Sequence, residues 1–377
     1  MILAGLGAEV IKVERPDSGD DTRHMAPIHG GWSAYFLAIN RGKKSVAVDL
    51  STPDGIALVL RLAAHCNVFI ENFRGGKAEV MGLGEAAVRA VRPDIAYASL
   101  SAFGPRGADF EKPGYDALVQ ARTGIQSVTG EPGTAGARAG VSILDMGSGM
   151  WVALGVVAAL FAGKGGRVDG SLYQTGVMWM AYHLVARQMT GRDSQPQGTR
   201  HAAFAPYGDF ATADSRVLIG ISNDRLFDRL CVAVGLERDP RFAANRDRVQ
   251  NRDELDAALA AVLVQRSTAD WLRIFDQSGI PASAIQTAGQ VLQDPQLAAL
   301  GQMSGIPGMD LSSPLLPLEF SGMPAGGGSV PQLGEHTRDV LIEVGLAPDE
   351  IERLAQRRIV QWPIPHSSPS RLPKNSA

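Results

Sequence analysis

The sequence predicts an α/β protein, with a parallel sheet as its large domain and a smaller α+β domain later in the chain. The first observation is an alternation. The β-type runs "AEVIKVE", "KSVAVDL", "NVFIENF" and "DIAYASL" are interspersed with the helical runs "PDGIALVLRLAAHC" and "KAEVMGLGEAAVRAV", and strands that alternate with helices build a parallel sheet flanked by helices. The second is a change of pattern after the polar, turn-rich "RDSQPQG", where a hairpin and three helical runs take over.

Each element has its own reason. Ligands of open parallel sheets bind beyond the carboxyl ends of the strands. The turn-rich segments after the first three strands, "RPDSGDDTR", "STPDG" and "NFRGGK", are therefore the places to look for one. Gly5-Leu6-Gly7 is no dinucleotide fingerprint, because that motif follows a strand and these glycines precede one. Residues 150–161 predict a helix that is apolar all round, hence one buried in a sizeable core. It falls short of the roughly 20 apolar residues that a bilayer span needs. Just ahead of it, in "RAGVSILDMGSGMW", stands Asp145. The plain reading makes Asp145 or Ser148 a helix cap, its side-chain oxygen accepting an unpaired backbone N–H. The sharper reading makes the carboxylate a nucleophile.

The large domain is expected over 1–190 and a linker over 191–203. "YGDFATADSRVLIGIS" reads as a hairpin turning near 213–215, and helices are expected at 224–234, 252–265 and 269–279, giving a small α+β domain over 204–287. A proline-rich linker covers 288–331, residues 332–360 are helical again, and 361–377 have the composition of a tail without structure.

Composition removes several function classes. The 377 residues, 45% hydrophobic and 20% charged, are ordinary globular material, enough for two domains. With a net charge of -3 and acids interspersed with bases, no polybasic surface for nucleic acid or membrane is expected. Cys66 and Cys231 lie far apart, lack metal-type spacing and suit buried thiols of a reduced compartment. Neither a basic segment nor a long apolar core follows Met1, so no secretory signal is expected and the protein is placed in the cytoplasm. The seven histidines show no ligand spacing, and no metal is expected. Arg15, Arg23, Arg41, Lys43 and Lys44 offer cations for a phosphate, or a solvated face.

Taken in order, "GAEVIKVERPDSGDDTR", "NRGKKSVAVDL", "FIENFRGG", "YASLSAFGPRG", "PGYDALVQARTG", "GVSILDMGSGMWVALGVVAAL", "VDGSLYQT", "APYGDFAT" and "LGEHTRDVLIEVGL" resemble the signatures of the class III CoA-transferase (CaiB/BaiF, formyl-CoA transferase-like) family across residues 1–360. The resemblance implies an interlocked homodimer, with a Rossmann-like large domain made from both chain ends and the small domain inserted between. It implies an enzyme that moves CoA from an acyl-CoA to a small carboxylic acid, with coenzyme A as part of the substrate and no tightly bound cofactor. It makes Asp145 the nucleophile, passing through a mixed anhydride and an aspartyl-CoA thioester. CoA contacts carry over to Arg15, Val48, Ser51, Asn72, Phe73, Arg74 and Leu172. Arg15 is suited to phosphate and Phe73 to adenine or pantetheine. Tyr115 falls in the substrate pocket, and Gly147 and Gly149 would let backbone N–H groups approach a developing oxyanion. "HAAFAPYGDF" and "LIGISNDRLF" resemble members that use dicarboxylic acids, which suggests succinyl-CoA as donor.

The match also departs from the family. Members carry about one more strand, loop and helix before "LAGLGAEVIKVE", so an upstream extension is expected. Val80 stands where some members have a CoA-binding arginine, and the glycine-rich loop of formyl-CoA transferases has no counterpart near 204–223. The triple glycine at 326–328 lies elsewhere. The α-methylacyl-CoA racemases of the family have a histidine where Tyr115 stands, and a phenol of ordinary pKa, about 10, is a poor base near neutrality. A racemase-like enzyme and an inactive CoA-binding dimer are the alternative readings.

Overall fold

The computed structural model describes residues 1–163, 165–319 and 326–363. Its main elements begin with β1 (Val10–Glu14), β2 (Lys43–Val48), α1 (Pro53–Ala63), β3 (Val68–Glu71), α2 (Glu85–Val91), β4 (Ala96–Ser101), α3 (Asp116–Thr123), α4 (Ile143–Phe161), β5 (Gly166–Ser171) and α5 (Leu172–Trp179). They continue with α6 (Ala181–Thr190), β6 (Tyr207–Ala211), β7 (Arg216–Gly220), α7 (Asp224–Val234), α8 (Arg252–Leu263), α9 (Thr268–Gln277), β8 (Ala282–Ala284), α10 (Thr337–Glu343), α11 (Pro348–Gln356) and β9 (Val360–Gln361). The chain divides into two compact units. One is Met1–Val119, Ser142–Thr175 and the segment from Pro295 on; the other is Gln120–Val141 and Gly176–Asp294.

In the first unit β2 is the central strand of three, with β1 parallel to it (Val13 opposite Val46) and β9 antiparallel (Val360 opposite Val48). Val46, Ala47 and Val48 are fully buried, as in a strand covered on both faces. Helix α1 starts where Thr52 Oγ1 accepts the Gly55 N–H at 3.0 Å and Pro53 fills the first position. Its Leu58, Val59 and Leu62 share one core with Val340 and Leu341 of α10 and Ile351 of α11. Each such side chain contributes roughly 1.5–3 kcal/mol by burial. The assigned tail begins too early. Gln361 pairs in β9, where its carbonyl accepts from Thr337 Oγ1 at 2.7 Å, and Trp362 packs against the same core. Residues 364–377 lie outside the described residues.

The other large sheet, β3-β4-β5, is parallel, with Phe69 opposite Tyr97 and Tyr97 opposite Arg167. The four strands expected before residue 101 form, whereas β5 is not legible in "GRVDGS", which lacks the β-branched and aromatic run of an ordinary strand. Its glycines have a packing reason. A Cβ on Gly170 would lie 2.5 Å from Val152 of α4, and one on Gly155 of α4 would lie 2.6 Å from Val168. Two missing side chains let helix and strand approach closely.

In the second unit β6 and β7 form the expected hairpin, with β8 on the other edge of β7 (Leu218 opposite Ser283). Asn223 caps α7 by accepting the Leu226 N–H at 2.9 Å, and Ser267 caps α9 by accepting the Asp270 N–H at 3.1 Å. These helices and α8 turn Phe227, Leu230, Leu255, Leu259, Trp271 and Phe275 into one core. Arg248 is fully buried among them, paired with Asp224 at 2.7 Å and bonded to the Ala205 carbonyl at 2.7 Å. The unit is wider than 204–287, because residues from 120 and from 176 join it. The Gly198 N–H donates to the Gly130 carbonyl at 2.7 Å, and Gly176 lies against Thr123.

Candidate active site

Helix α4 begins at Ile143, so Asp145 sits inside its first turn instead of ahead of it. Neither residue proposed as its cap caps it. Ser148 is fully buried, with its hydroxyl 2.8 Å from Thr175 Oγ1 and 3.3 Å from the Ser171 carbonyl, and the N-cap residue Ser142 makes no side-chain cap bond. The cap is Asp116. Its Oδ2 accepts the Leu144 N–H at 2.7 Å and the Asp145 N–H at 3.1 Å, and its side chain is buried. At 19 residues α4 also has the length and composition to cross a membrane, longer than the segment expected, with 33% of its apolar window buried.

The Asp145 side chain reaches solvent, and among the described residues no hydrogen-bond donor meets its carboxylate. Desolvation by its surroundings, and then the charge of Asp116, hold that carboxyl above its ordinary pKa. A carboxylate in this condition is a better base and nucleophile than one held by donors. Gly147 and Gly149 lie past the first turn, where backbone N–H groups point back along the helix. That leaves them without a free donor for an oxyanion. Gly149 instead contributes open space, since a Cβ there would meet nothing within 4 Å. Tyr115, adjoining Asp116, is 77% exposed.

The residues assigned to CoA follow the carboxyl ends of parallel strands: Arg15 after β1, Ser51 after β2, Asn72, Phe73 and Arg74 after β3, and Leu172 after β5. Val48, at the end of β2, is fully buried and Leu172 nearly so, which leaves mainly their backbone for a ligand. The Ser51 N–H and hydroxyl are turned onto Asp49, at 2.9 and 2.6 Å. The Glu71 carboxylate accepts the Phe73 N–H at 2.7 Å and fixes the turn after β3; burial pushes this carboxyl up. Beside that turn a small cleft is lined by Arg74, Gly75, Phe110, Ser99, Arg167 and Asp169. Val80 is exposed.

The five cations separate clearly. Arg23 is tied to Glu14 at 2.8 Å and lies over the Phe36 ring at 3.8 Å. Arg41 is buried and donates to the carbonyls of Ser304, Gly305, Ser313 and Gly328. Lys43 donates to Asn40 Oδ1 at 2.8 Å, and burial, then Lys12, bring its pKa down to about 8. Lys44 bridges Glu9 and Glu343. Of the five, Arg15 has the most exposed side chain among those in ion pairs, at 62%, with Asp21 as its partner. No group of His, Cys, Asp and Glu that could hold a metal exists among the described residues. Sequence reasoning missed Asp116. It lies 29 residues before Asp145, and no local pattern joins the two.

The model of CoA-transferase family III matches residues 1–337. The chain is 35% identical over 376 residues to succinyl-CoA:glutarate CoA-transferase of Mus musculus, covering 96% of this chain and 86% of that protein. It is 32% identical over 378 residues to succinate–glutarate CoA-transferase of Agrobacterium fabrum, covering 94% and 92%. Among solved structures, a CAIB/BAIF family protein from Brucella suis matches with a TM-score of 0.82 at 34% identity, over 91% of this chain and 93% of that one.

Proposed function

Because the chain belongs to CoA-transferase family III and is an enzyme that transfers CoA to small carboxylic acids, we propose that Asp145 is the nucleophile through which CoA passes from donor to acceptor. The observation that supports this is the placement of Asp145 in the first turn of α4, with the capping taken over by Asp116 and its own carboxylate unbonded. An Asp145 oxygen attacks the thioester carbon, the C–S bond breaks, and a mixed anhydride and CoA thiolate result. The thiolate then attacks the aspartyl carbonyl of the anhydride, releasing the first acid and leaving an aspartyl-CoA thioester. The acceptor carboxylate displaces the thiolate to form a second anhydride. The thiolate finally attacks the acceptor's acyl carbon, which yields the new acyl-CoA and restores Asp145. CoA lies along Arg15, Ser51, Asn72, Phe73 and Arg74, with Val48 and Leu172 touching it mainly through their backbone, and Tyr115 beside the acid. No tightly bound cofactor takes part.

The acids are small dicarboxylates and the donor is succinyl-CoA, a reading supported by the names of the mouse and Agrobacterium relatives. The working form is an interlocked homodimer in the cytoplasm. Its support is the resemblance together with the apolar face that α4 leaves uncovered in one chain. The test supplies succinyl-CoA and glutarate and follows glutaryl-CoA by mass spectrometry. Asp145→Ala is expected to abolish transfer, and hydroxylamine added during wild-type turnover to modify Asp145. With the Asp145 pKa raised, activity is expected to fall on the acid side at a pH above that of an ordinary carboxylate. Wild-type turnover by Asp145→Ala would end this reading.

A further inference from the structure

An acid in the first turn of a helix commonly turns its own carboxylate back onto the unpaired N–H groups at that end. Asp145 is placed to do so, yet the Leu144 and Asp145 N–H groups are both occupied by Asp116, and the Met146 N–H is bonded to the Ser142 carbonyl at 3.1 Å. Asp116 is itself the first residue of α3, so its buried carboxylate stands at the amino ends of two helices, where fixed partial positive charge favours an anion. Resting on the nucleophilic reading of Asp145, we propose that Asp116 is a positioning residue for the reaction. Its carboxylate fixes the backbone of Asp145 and occupies two of the donors at that helix end that could otherwise turn onto the attacking oxygen. The pairing is not a general feature of the helices here, since α7 and α9 are capped by the residue just before each helix.

Three variants of the full chain, assayed with succinyl-CoA and glutarate, test the assignment. Asp116→Ala is expected to lower kcat per folded protein about a hundredfold, the loss typical of a displaced reacting group, and to leave KM for succinyl-CoA nearly unchanged. Asp116→Asn keeps a carbonyl oxygen for both N–H groups and is expected to recover activity to within about tenfold of wild type. Hydrogen exchange of the peptide over 142–150 is expected to speed up in Asp116→Ala and not in Asp116→Asn. Should Asp116→Ala fail to fold, Asp116→Ser, with its single acceptor, takes its place under the same outcomes. Wild-type kcat in the Ala variant, an Asn variant no better than Ala, or unchanged exchange at the start of α4 would overturn the positioning role. Asp145→Ala, run in parallel, separates the two readings. Activity there removes the nucleophile itself, whereas its inactivity beside a fully active Asp116→Ala removes only the positioning.

Discussion

Helices α7 and α4 are built on opposite plans. Helix α7 gathers Phe227, Leu230, Cys231 and Val234 on one face, and all four are buried. Helix α4 is apolar nearly all round. Leu144, Val152 and Val156 are buried, while Met146, Met150, Trp151, Leu154 and Val157 are exposed and Phe161 is 95% exposed. The expectation of a helix buried in a sizeable core is therefore met within one chain over only part of its surface. An amphipathic pattern states which face is covered. An all-apolar pattern states how much surface must leave water, without saying which chain covers it.

The sharpest way to break this contrast is a charge on the open face of α4. Leu154→Asp is expected to block assembly of the interlocked dimer and to remove the dimer peak in sedimentation, because an unpaired buried charge costs about 3–5 kcal/mol. Asp228→Ala, on the exposed side of α7, is expected to leave sedimentation unchanged. A dimer that survives Leu154→Asp would mean that α4 meets no partner chain. Next comes the closed core. Leu259→Ala, at a fully buried position of α8, is expected to lower stability by about 2–5 kcal/mol in urea unfolding. A loss below about 1 kcal/mol would show that the core of the second unit relaxes around the cavity. The smallest effect concerns the helix starts. Asn223→Ala is expected to cost about 0.5–2 kcal/mol, and Ser142→Ala nothing measurable, because Ser142 makes no cap bond. Equal losses would erase the distinction between a local cap and a remote one.

What was legible follows from how local the information is. Strands β1 to β4, the β6–β7 hairpin and helices α7, α8 and α9 announce themselves through apolar runs, periodicity and caps that lie within a few residues. Strand β5 was hidden because its sequence answers to α4: Gly170 makes room for Val152, and Gly155 for Val168. The start of α4 was set too late for a similar reason. Its cap is absent from the neighbouring sequence and is supplied by Asp116. The residues assigned to CoA were named by resemblance, and their shared position after the carboxyl ends of strands is a matter of topology. The candidate cations show the limit of spacing most plainly. Arg23 and Arg41 are as basic in sequence as Arg15, yet one is tied to Glu14 and the other is enclosed by backbone carbonyls.

The pairing of β2 with β9 sets a schedule for synthesis. Val48 meets Val360 about 310 residues later in the chain, and at about 5–20 residues per second the ribosome needs tens of seconds to produce that partner. Until then the strand carrying Val46 and Val48 has one bare edge, and α1 lacks the α10 and α11 side chains that complete its core. The hairpin and helices of the second unit need nothing from the final residues and can close first. The nascent chain would thus carry a finished middle and an unfinished beginning, an exposed apolar strand for which a chaperone and a neighbouring copy on the same polysome would compete.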